Sequence, residues 1–175
     1  IELMEITDEL LDVLEHNQNK IANHLHIPLQ SGSDGVLKRM ERKYIMKEYF
    51  EKIDIIKKRF PDIAITTDCL AGFVGETDND FEDALDFIEK INFSSMHIFP
   101  YSRRKNTEAD KMDGHLPGEL IHARAKKMQE LAQKMAKNYQ EEHIGKEMVV
   151  LVEQKKNNYW IGHTSNYLEV KFLSK

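Results

Sequence analysis

The chain has 175 residues, 41% hydrophobic and 31% charged, with a formal net charge of -5. That length supports one domain of ordinary size, or one with a small appendage, and no apolar run approaches the roughly 18 residues of a membrane span. An acidic balance argues against a nucleic-acid binder that works by overall charge, so contact with RNA has to come from local basic patches. A single cysteine, Cys69, excludes an internal disulfide framework and a cysteine-only metal site, and fits a reducing cytoplasm. The chain opens at Ile1 with neither an initiator methionine nor a signal peptide, so it reads as a piece of a longer protein.

Thr7 with Asp8 and Glu9 predicts a helix start: a hydroxyl cap, then acids where the helix dipole favours them. Leu10, Leu11 and Leu14 form its apolar stripe, and Asn17 to Asn19 end it. Leu25, Ile27 and Leu29 alternate as in a strand, which Pro28 and a polar, glycine-bearing loop at 30–35 bring to a close. Ser33 or Asp34 caps a short helix over 36–40. A longer helix over 47–60 follows, with Phe50, Ile53 and Ile56 on one face. The second strand is expected over 63–68 and a two-glycine loop over 69–75. The third helix, over 80–91, is capped by Thr77 or Asp78, with Phe81, Ala84, Leu85 and Ile88 inward. A third strand spans 95–99.

Strand, loop and helix repeated in this way indicate an α/β fold with parallel strands, a partial barrel with right-handed crossovers. Pro117 opens a long helix to about Glu142, with Leu120, Met128, Leu131 and Met135 as a partial stripe. From Gly145 the pattern changes to three short antiparallel strands, at 148–152, 159–161 and 168–172, with a turn at Asn157-Asn158. The expected division is therefore a barrel segment, 1–144, and the start of a small β domain, 145–175. Three strands do not close a barrel, so the missing strands are expected before residue 1.

In parallel α/β folds ligands bind at the carboxyl ends of strands. The unusual residues gather there, at 30–34, 72–77 and 101–107. Gly72-Phe73-Val74-Gly75-Glu76-Thr77 is either a tight strand-to-helix turn or a loop whose backbone approaches a ligand; without a lysine after the second glycine it is no P-loop. His24 and His26 share a strand face, so they either ligate a metal or line an interior; no cysteine or carboxylate stands near them in sequence, which favours the lining. Arg103-Arg104-Lys105 is a basic cluster beside the same edge. Lys155 and Lys156 with Tyr159 and Trp160 mix cations with aromatics as single-stranded RNA binders do, or form a solvated surface. Cys69 reads as a small buried hydrophobe. These patterns reach a barrel segment with one ligand edge and no particular reaction.

Three long motifs go further. His26-Ile27-Pro28-Leu29-Gln30-Ser31-Gly32-Ser33-Asp34 with Arg42-Lys43-Tyr44, then Thr67-Asp68 with the 72–77 loop and Asp80-Phe81, then His97-Ile98-Phe99-Pro100-Tyr101-Ser102 with Thr107, resemble the radical-SAM methylthiotransferases that modify tRNA. The tail, through Gly162-His163-Thr164-Ser165-Asn166-Tyr167, resembles the opening of a TRAM domain, and within the family the MtaB-type subgroup acting on threonylcarbamoyladenosine more than the MiaB or RimO groups.

The resemblance implies S-adenosylmethionine and two [4Fe–4S] clusters in the full-length enzyme, none ligated by this chain, which by itself would be inert. It implies that Gln30, Ser31, Gly32 and Ser33 together with Gly72, Phe73, Gly75 and Glu76 line the ribose and adenine. Phe99 and Tyr101 would close the pocket, and Arg103, Arg104, Lys155, Lys156, Tyr159 and Trp160 would hold a tRNA anticodon stem-loop, with no role for DNA or membrane. The chain departs from the family pattern at Val74 and Glu108, each in place of proline, and at Asn106, in place of glycine; asparagine still tolerates positive φ. Competing readings are a non-catalytic tRNA-binding module, an isopentenyladenosine enzyme, and a radical-SAM enzyme of small molecules.

Overall fold

A computed structural model describes residues 1–173; the last two positions of the expected second domain, 174 and 175, lie outside the described residues. In chain order, after a single 3-10 turn at Leu3–Glu5, the elements are α1 (Asp8–His16), β1 (His24–His26), α2 (Asp34–Arg39), α3 (Met46–Arg59), β2 (Ala64–Ala71), α4 (Asp78–Ile91), β3 (Ser95–Pro100), α5 (Glu108–Lys111), α6 (Gly118–Glu141), β4 (Val150–Lys156), β5 (Tyr159–Thr164) and β6 (Glu169–Leu173). Strands β1, β2 and β3 form a parallel sheet in that order, and β4, β5 and β6 an antiparallel one. The mixed α/β class read from the sequence is the class observed.

Local chemistry sets the helix starts. Thr7, Ser33 and Thr77 each accept a backbone N–H at the first turn of α1, α2 and α4, satisfying donors a helix start otherwise leaves open. Asn92 ends α4 with φ of 55°, a left-handed stop. Alternation along the strands then sorts the faces. Ile65, Cys69 and Ala71 of β2, with Ile27 and Leu29 next to β1, are buried in one core with Leu11, Tyr49, Ile53, Ile56, Phe81, Ile88 and Met128 from the helices. Tyr49 sits fully buried, its hydroxyl donating to the Ile27 carbonyl at 2.7 Å.

Several expectations need correction. The first strand is shorter than the alternation predicted, because after His26 only one bridge, Gln30 to Cys69, continues the pairing. β2 runs on through Ala71, into what was expected to be loop. The buried stripe of α6 is Ile121, Ala125, Met128, Ala132 and Met135, spaced by four and three, whereas Leu120 points outward at 36% exposure. α5, capped by Thr107, was not expected at all.

No helix among the described residues is long and apolar enough to cross a membrane. The tail sheet contrasts with the first, since most of its residues are exposed. Gly162 sits where β4 bulges between Val152 and Gln154; an added Cβ there would lie 2.0 Å from the Leu151 carbonyl oxygen.

Candidate functional site

The inner face of the parallel sheet is built by the other half of the alternation. His24 and His26 of β1, Thr66, Asp68 and Leu70 of β2, and His97 and Phe99 of β3 project there. The register sets Asp68 beside His97 and Leu70 beside Phe99. The face is thus graded along the strands, polar towards their starts and apolar at the carboxyl edge. Both expected histidines lie on it. Thr66 Oγ1 is 2.8 Å from His24 Nε2 and 3.0 Å from His26 Nδ1, and His26 Nε2 is 3.5 Å from Asp68. Burial, followed by the neighbouring His26 charge, holds the His24 imidazole below its ordinary pKa. Among the described residues no three His, Cys, Asp or Glu side chains gather as a metal site. Asp68 and His97 also line this face; they fall inside the quoted motifs but were not singled out, although their period-2 spacing was the signal.

At the carboxyl edge the first loop is anchored by its own side chains. Gln30 adopts φ of 66°, its N–H donating to Asp68 O and its carbonyl accepting from Leu70 N–H. Ser31 and Ser33 are buried. Ser33 caps α2 and donates to Asp80. Gly32 faces α4, where a Cβ would meet the Ala84 backbone at 2.8 Å. Ser33 and this glycine therefore seat the loop on α4, while the Ser31 hydroxyl accepts from the Ser33 N–H at 3.2 Å. Burial would push the Asp80 carboxyl up, but hydrogen bonds from Ser33, Thr77 and Arg39 outweigh it and hold it at about 2.

The second loop is bent by Gly72 and Gly75, with φ of 77° and 74°. Glu76 folds back so that its Oε1 accepts from the Gly72 N–H at 3.0 Å, and it is buried with Arg124 of α6, Nη1 to Oε1 2.8 Å. Burial pushes this carboxyl up; Arg124 and the Gly72 N–H pull against it. Val74, where the family pattern has proline, is fully buried.

In the third loop, Tyr101 packs edge-on against Phe73, ring centroids 5.3 Å apart, while Phe99 stays half exposed. Asn106 takes φ of 67°, as its glycine-like position requires, and Glu108 is the first residue of α5, where proline and an acid are both favoured. Arg103 is tied to Asp110 through its Nε and to the Asp110 carbonyl at 2.8 Å, whereas Arg104 is exposed. A cleft of about 310 Å³ opens among these loops, lined by Gln30, Arg39, Met40, Leu70, Phe73 and Met112 with further charged residues at its rim. Among the described residues two buried side-chain polar atoms lack a hydrogen-bond partner, Arg39 Nε at the end of α2 and the Tyr101 hydroxyl in the third loop.

Residues 2–88 match the Radical SAM superfamily. Over that span the chain is a radical SAM domain. The chain is also 38% identical to threonylcarbamoyladenosine tRNA methylthiotransferase MtaB of Bacillus subtilis over 98% of its length and 39% of that protein's. It is 40% identical to the MtaB of Thermotoga maritima over 87% of the chain and 35% of the relative. It is 38% identical to tRNA-2-methylthio-N(6)-dimethylallyladenosine synthase of Caldicellulosiruptor saccharolyticus over 91% of the chain and 34% of the relative. The chain thus spans between 34% and 39% of the length of these curated relatives. In fold it is similar to coproporphyrinogen III oxidase (HemN) from Escherichia coli, a radical SAM enzyme, with a TM-score of 0.61 at 18% identity, over 77% of this chain and 31% of that one.

Radical SAM chemistry uses an iron–sulfur cluster, and the residues of this chain do not fit one. Their single thiol, Cys69, is 1% exposed and faces the Gln30 carbonyl, and burial, then the Glu76 charge, push it up to about 12. A nucleoside cofactor does fit the carboxyl edge. The cleft has an apolar floor in Leu70, Phe73, Met40 and Met112; Arg39, whose buried Nε has no partner, is in its wall, and Tyr101, whose hydroxyl has none, packs behind Phe73.

The expected RNA-contacting residues of the tail lie on the exposed sheet. Lys155 Nζ is 4.8 Å from the centroid of the Trp160 ring, and Lys171, not singled out from sequence, is 4.2 Å from that of Tyr159. Lys155 and Lys156 pair with Trp160 and Tyr159 beside the β4–β5 turn. The tail motif 162–167 serves another purpose in part. Thr164 and Asn166 are buried, Asn166 bonds His143 and accepts from the Tyr139 hydroxyl, and Tyr167 stacks on His24 with centroids 4.3 Å apart. The motif therefore clasps the tail sheet to the barrel, at the strand starts and away from the carboxyl edge.

Proposed function

We propose that this chain is the second half of the catalytic barrel of a radical-SAM tRNA methylthiotransferase, followed by the opening strands of a TRAM-type RNA-binding domain. The substrate we assign is threonylcarbamoyladenosine beside the anticodon, methylthiolated at C2 of adenine. The observation that carries the reading is the 38% identity to the Bacillus subtilis enzyme across 98% of the chain, tail motif included. Identity does not by itself separate substrates, since dimethylallyladenosine synthases reach 38% to 40%; the Gly162 to Tyr167 motif favours threonylcarbamoyladenosine.

In this reading the loop of Gln30, Ser31, Gly32 and Ser33 and that of Gly72, Phe73, Gly75 and Glu76 present backbone and cleft walls to the adenine and ribose of S-adenosylmethionine. Phe99 and Tyr101 close the far end. When bound, that cofactor supplies radical chemistry and the methyl group. The protein's share is orientation and exclusion of water: the apolar row of Leu70 and Phe99 lies at the edge where the reacting adenine enters. Cluster ligands come from parts of the full-length enzyme outside this chain. Arg104, Lys155, Lys156, Tyr159 and Trp160 contribute charge and stacking to the anticodon stem-loop, with Arg103 held next to Arg104 by its Asp110 pair.

Mass spectrometry of tRNA nucleosides from cells lacking the full-length gene tests the assignment. Loss of methylthio-threonylcarbamoyladenosine is the expected result. Loss of the isopentenyladenosine derivative instead would move the substrate, and no change in either would favour a non-catalytic tRNA-binding module.

A further inference from the structure

We propose that Arg124 of α6 is a positioning residue for the cofactor loop, the clamp that fixes residues 72–77 in the conformation that receives the nucleoside. The proposal rests on the reading of that loop as part of the cofactor edge. Two glycines in the left-handed region give the loop a backbone that many conformations suit when unrestrained. Three contacts restrain it. The Gly75 N–H donates to the Gly114 carbonyl at 2.9 Å. The Gly72 N–H donates to Glu76 Oε1, drawing the two ends of the loop together. Arg124 holds Glu76 itself: Nη1 donates to Oε1 at 2.8 Å and to the Glu76 carbonyl at 2.9 Å, while Nη2 pairs with Asp78 at the start of α4.

This guanidinium is fixed in turn. Its side chain is 5% exposed, and its carbon lies 5.3 Å from the centroid of the Phe81 ring. One turn before it, Ile121 packs under Gly72, where a Cβ would come within 2.8 Å of Ile121 Cγ1. Helix α6 thus grips the loop at both ends. The grip needs a planar fork, because one nitrogen serves the side chain and main chain of Glu76 while the other serves Asp78. A lysine ammonium, a point charge on a flexible stem, does not span these acceptors.

The test uses the full-length enzyme with Arg124→Lys. S-adenosylmethionine binding is measured by equilibrium dialysis, tRNA binding by filter retention, and amide exchange across residues 72–76 with and without S-adenosylmethionine. The expected result is a loss of about tenfold in S-adenosylmethionine affinity, tRNA affinity within about twofold of wild type, and faster exchange in the loop, because preorganisation is lost while the fold stands. If Arg124→Lys does not fold, Arg124→Met with Glu76→Gln leaves no unpaired buried charge and keeps an acceptor for Gly72. It carries the same expectation. Wild-type S-adenosylmethionine affinity in a folded variant, or a parallel loss of tRNA binding, overturns the proposal. Protection of 72–76 by S-adenosylmethionine that is equal in wild type and variant overturns it alone, with the loop reading intact. Absence of that protection in wild type overturns both.

Discussion

Two sheets of three strands each stand side by side in this chain, and they are held by opposite means. The parallel sheet has a face buried under α1, α3, α4 and α6, with Ile27, Leu29, Ile65 and Cys69 at 1% exposure or less. The antiparallel sheet has almost no covered face: Val152, Leu151 and Leu173 are 44%, 71% and 65% exposed. Its stability comes from strand pairing and from the Thr164–Asn166 clasp on α6. Hydrophobic burial builds the first and a handful of directional bonds anchors the second. The first is therefore rigid enough to shape the edge where we propose the cofactor binds, and the second presents its aromatics and lysines to solvent.

The largest effect expected falls on the first sheet. Ile56→Ala, at a fully buried site, is expected to cost about 2–5 kcal/mol in urea unfolding followed by helical circular dichroism, because the core leaves a cavity it cannot fill. Gly162→Val forces a branched side chain against the Leu151 carbonyl and is expected to cost about 3 kcal/mol, confined to the tail. Trp160 emission should shift to that of an exposed indole while the helical signal persists. A joint loss of both signals would make the two sheets one cooperative unit and break the comparison.

Asp80 sharpens it through pH. Its folded value of about 2 lies below the ordinary 3.8, so its stabilisation is complete above about pH 4 and is lost as pH falls through about 2. Asp80→Asn should remove about 2 kcal/mol at neutral pH and flatten acid unfolding of the parallel sheet over that interval. Asn166→Ala, which removes the side-chain bonds to Thr164 and His143 and keeps the Tyr139 bond to the main chain, is expected to cost about 1 kcal/mol and to raise proteolysis of the tail without touching the core. The smallest effect belongs to Leu151→Thr, on the open sheet, within about 0.5 kcal/mol by thermal melting.

Period and punctuation made most of this fold readable. Thr7, Ser33 and Thr77 announced their helices, Asn157-Asn158 its turn, and the asparagine standing for glycine at 106 its positive φ. What stayed illegible depends on partners far along the chain. Ser31, Gly32 and Ser33 look like a ligand loop in one dimension, yet the Ser33 hydroxyl is claimed by Asp80 of α4, the Ser31 hydroxyl accepts from the Ser33 N–H, and Gly32 leaves room for the Ala84 backbone. The arginine pair at 103–104 reads as free charge until Asp110 folds back onto Arg103. In α6, Leu120 resembled core by type, but the phase set by Ile121, Ala125 and Met128 turns it outward. Arg124 drew no notice, since an arginine within a basic helix gives no sign of the carboxylate waiting 48 residues earlier.

Helix α6 touches Gly72 through Ile121 near its start and the Asn166 carbonyl through Tyr139 near its end. With 24 residues it is about 36 Å long. It therefore acts as a ruler: one end marks where the 72–77 loop sits and the other where the tail begins, with no hinge between. Such a ruler carries phase as well as length. One residue inserted at its middle would carry the tail around the axis by about 100° and forward by about 1.5 Å, so the lysines and tryptophan of the tail would address a different side of the barrel.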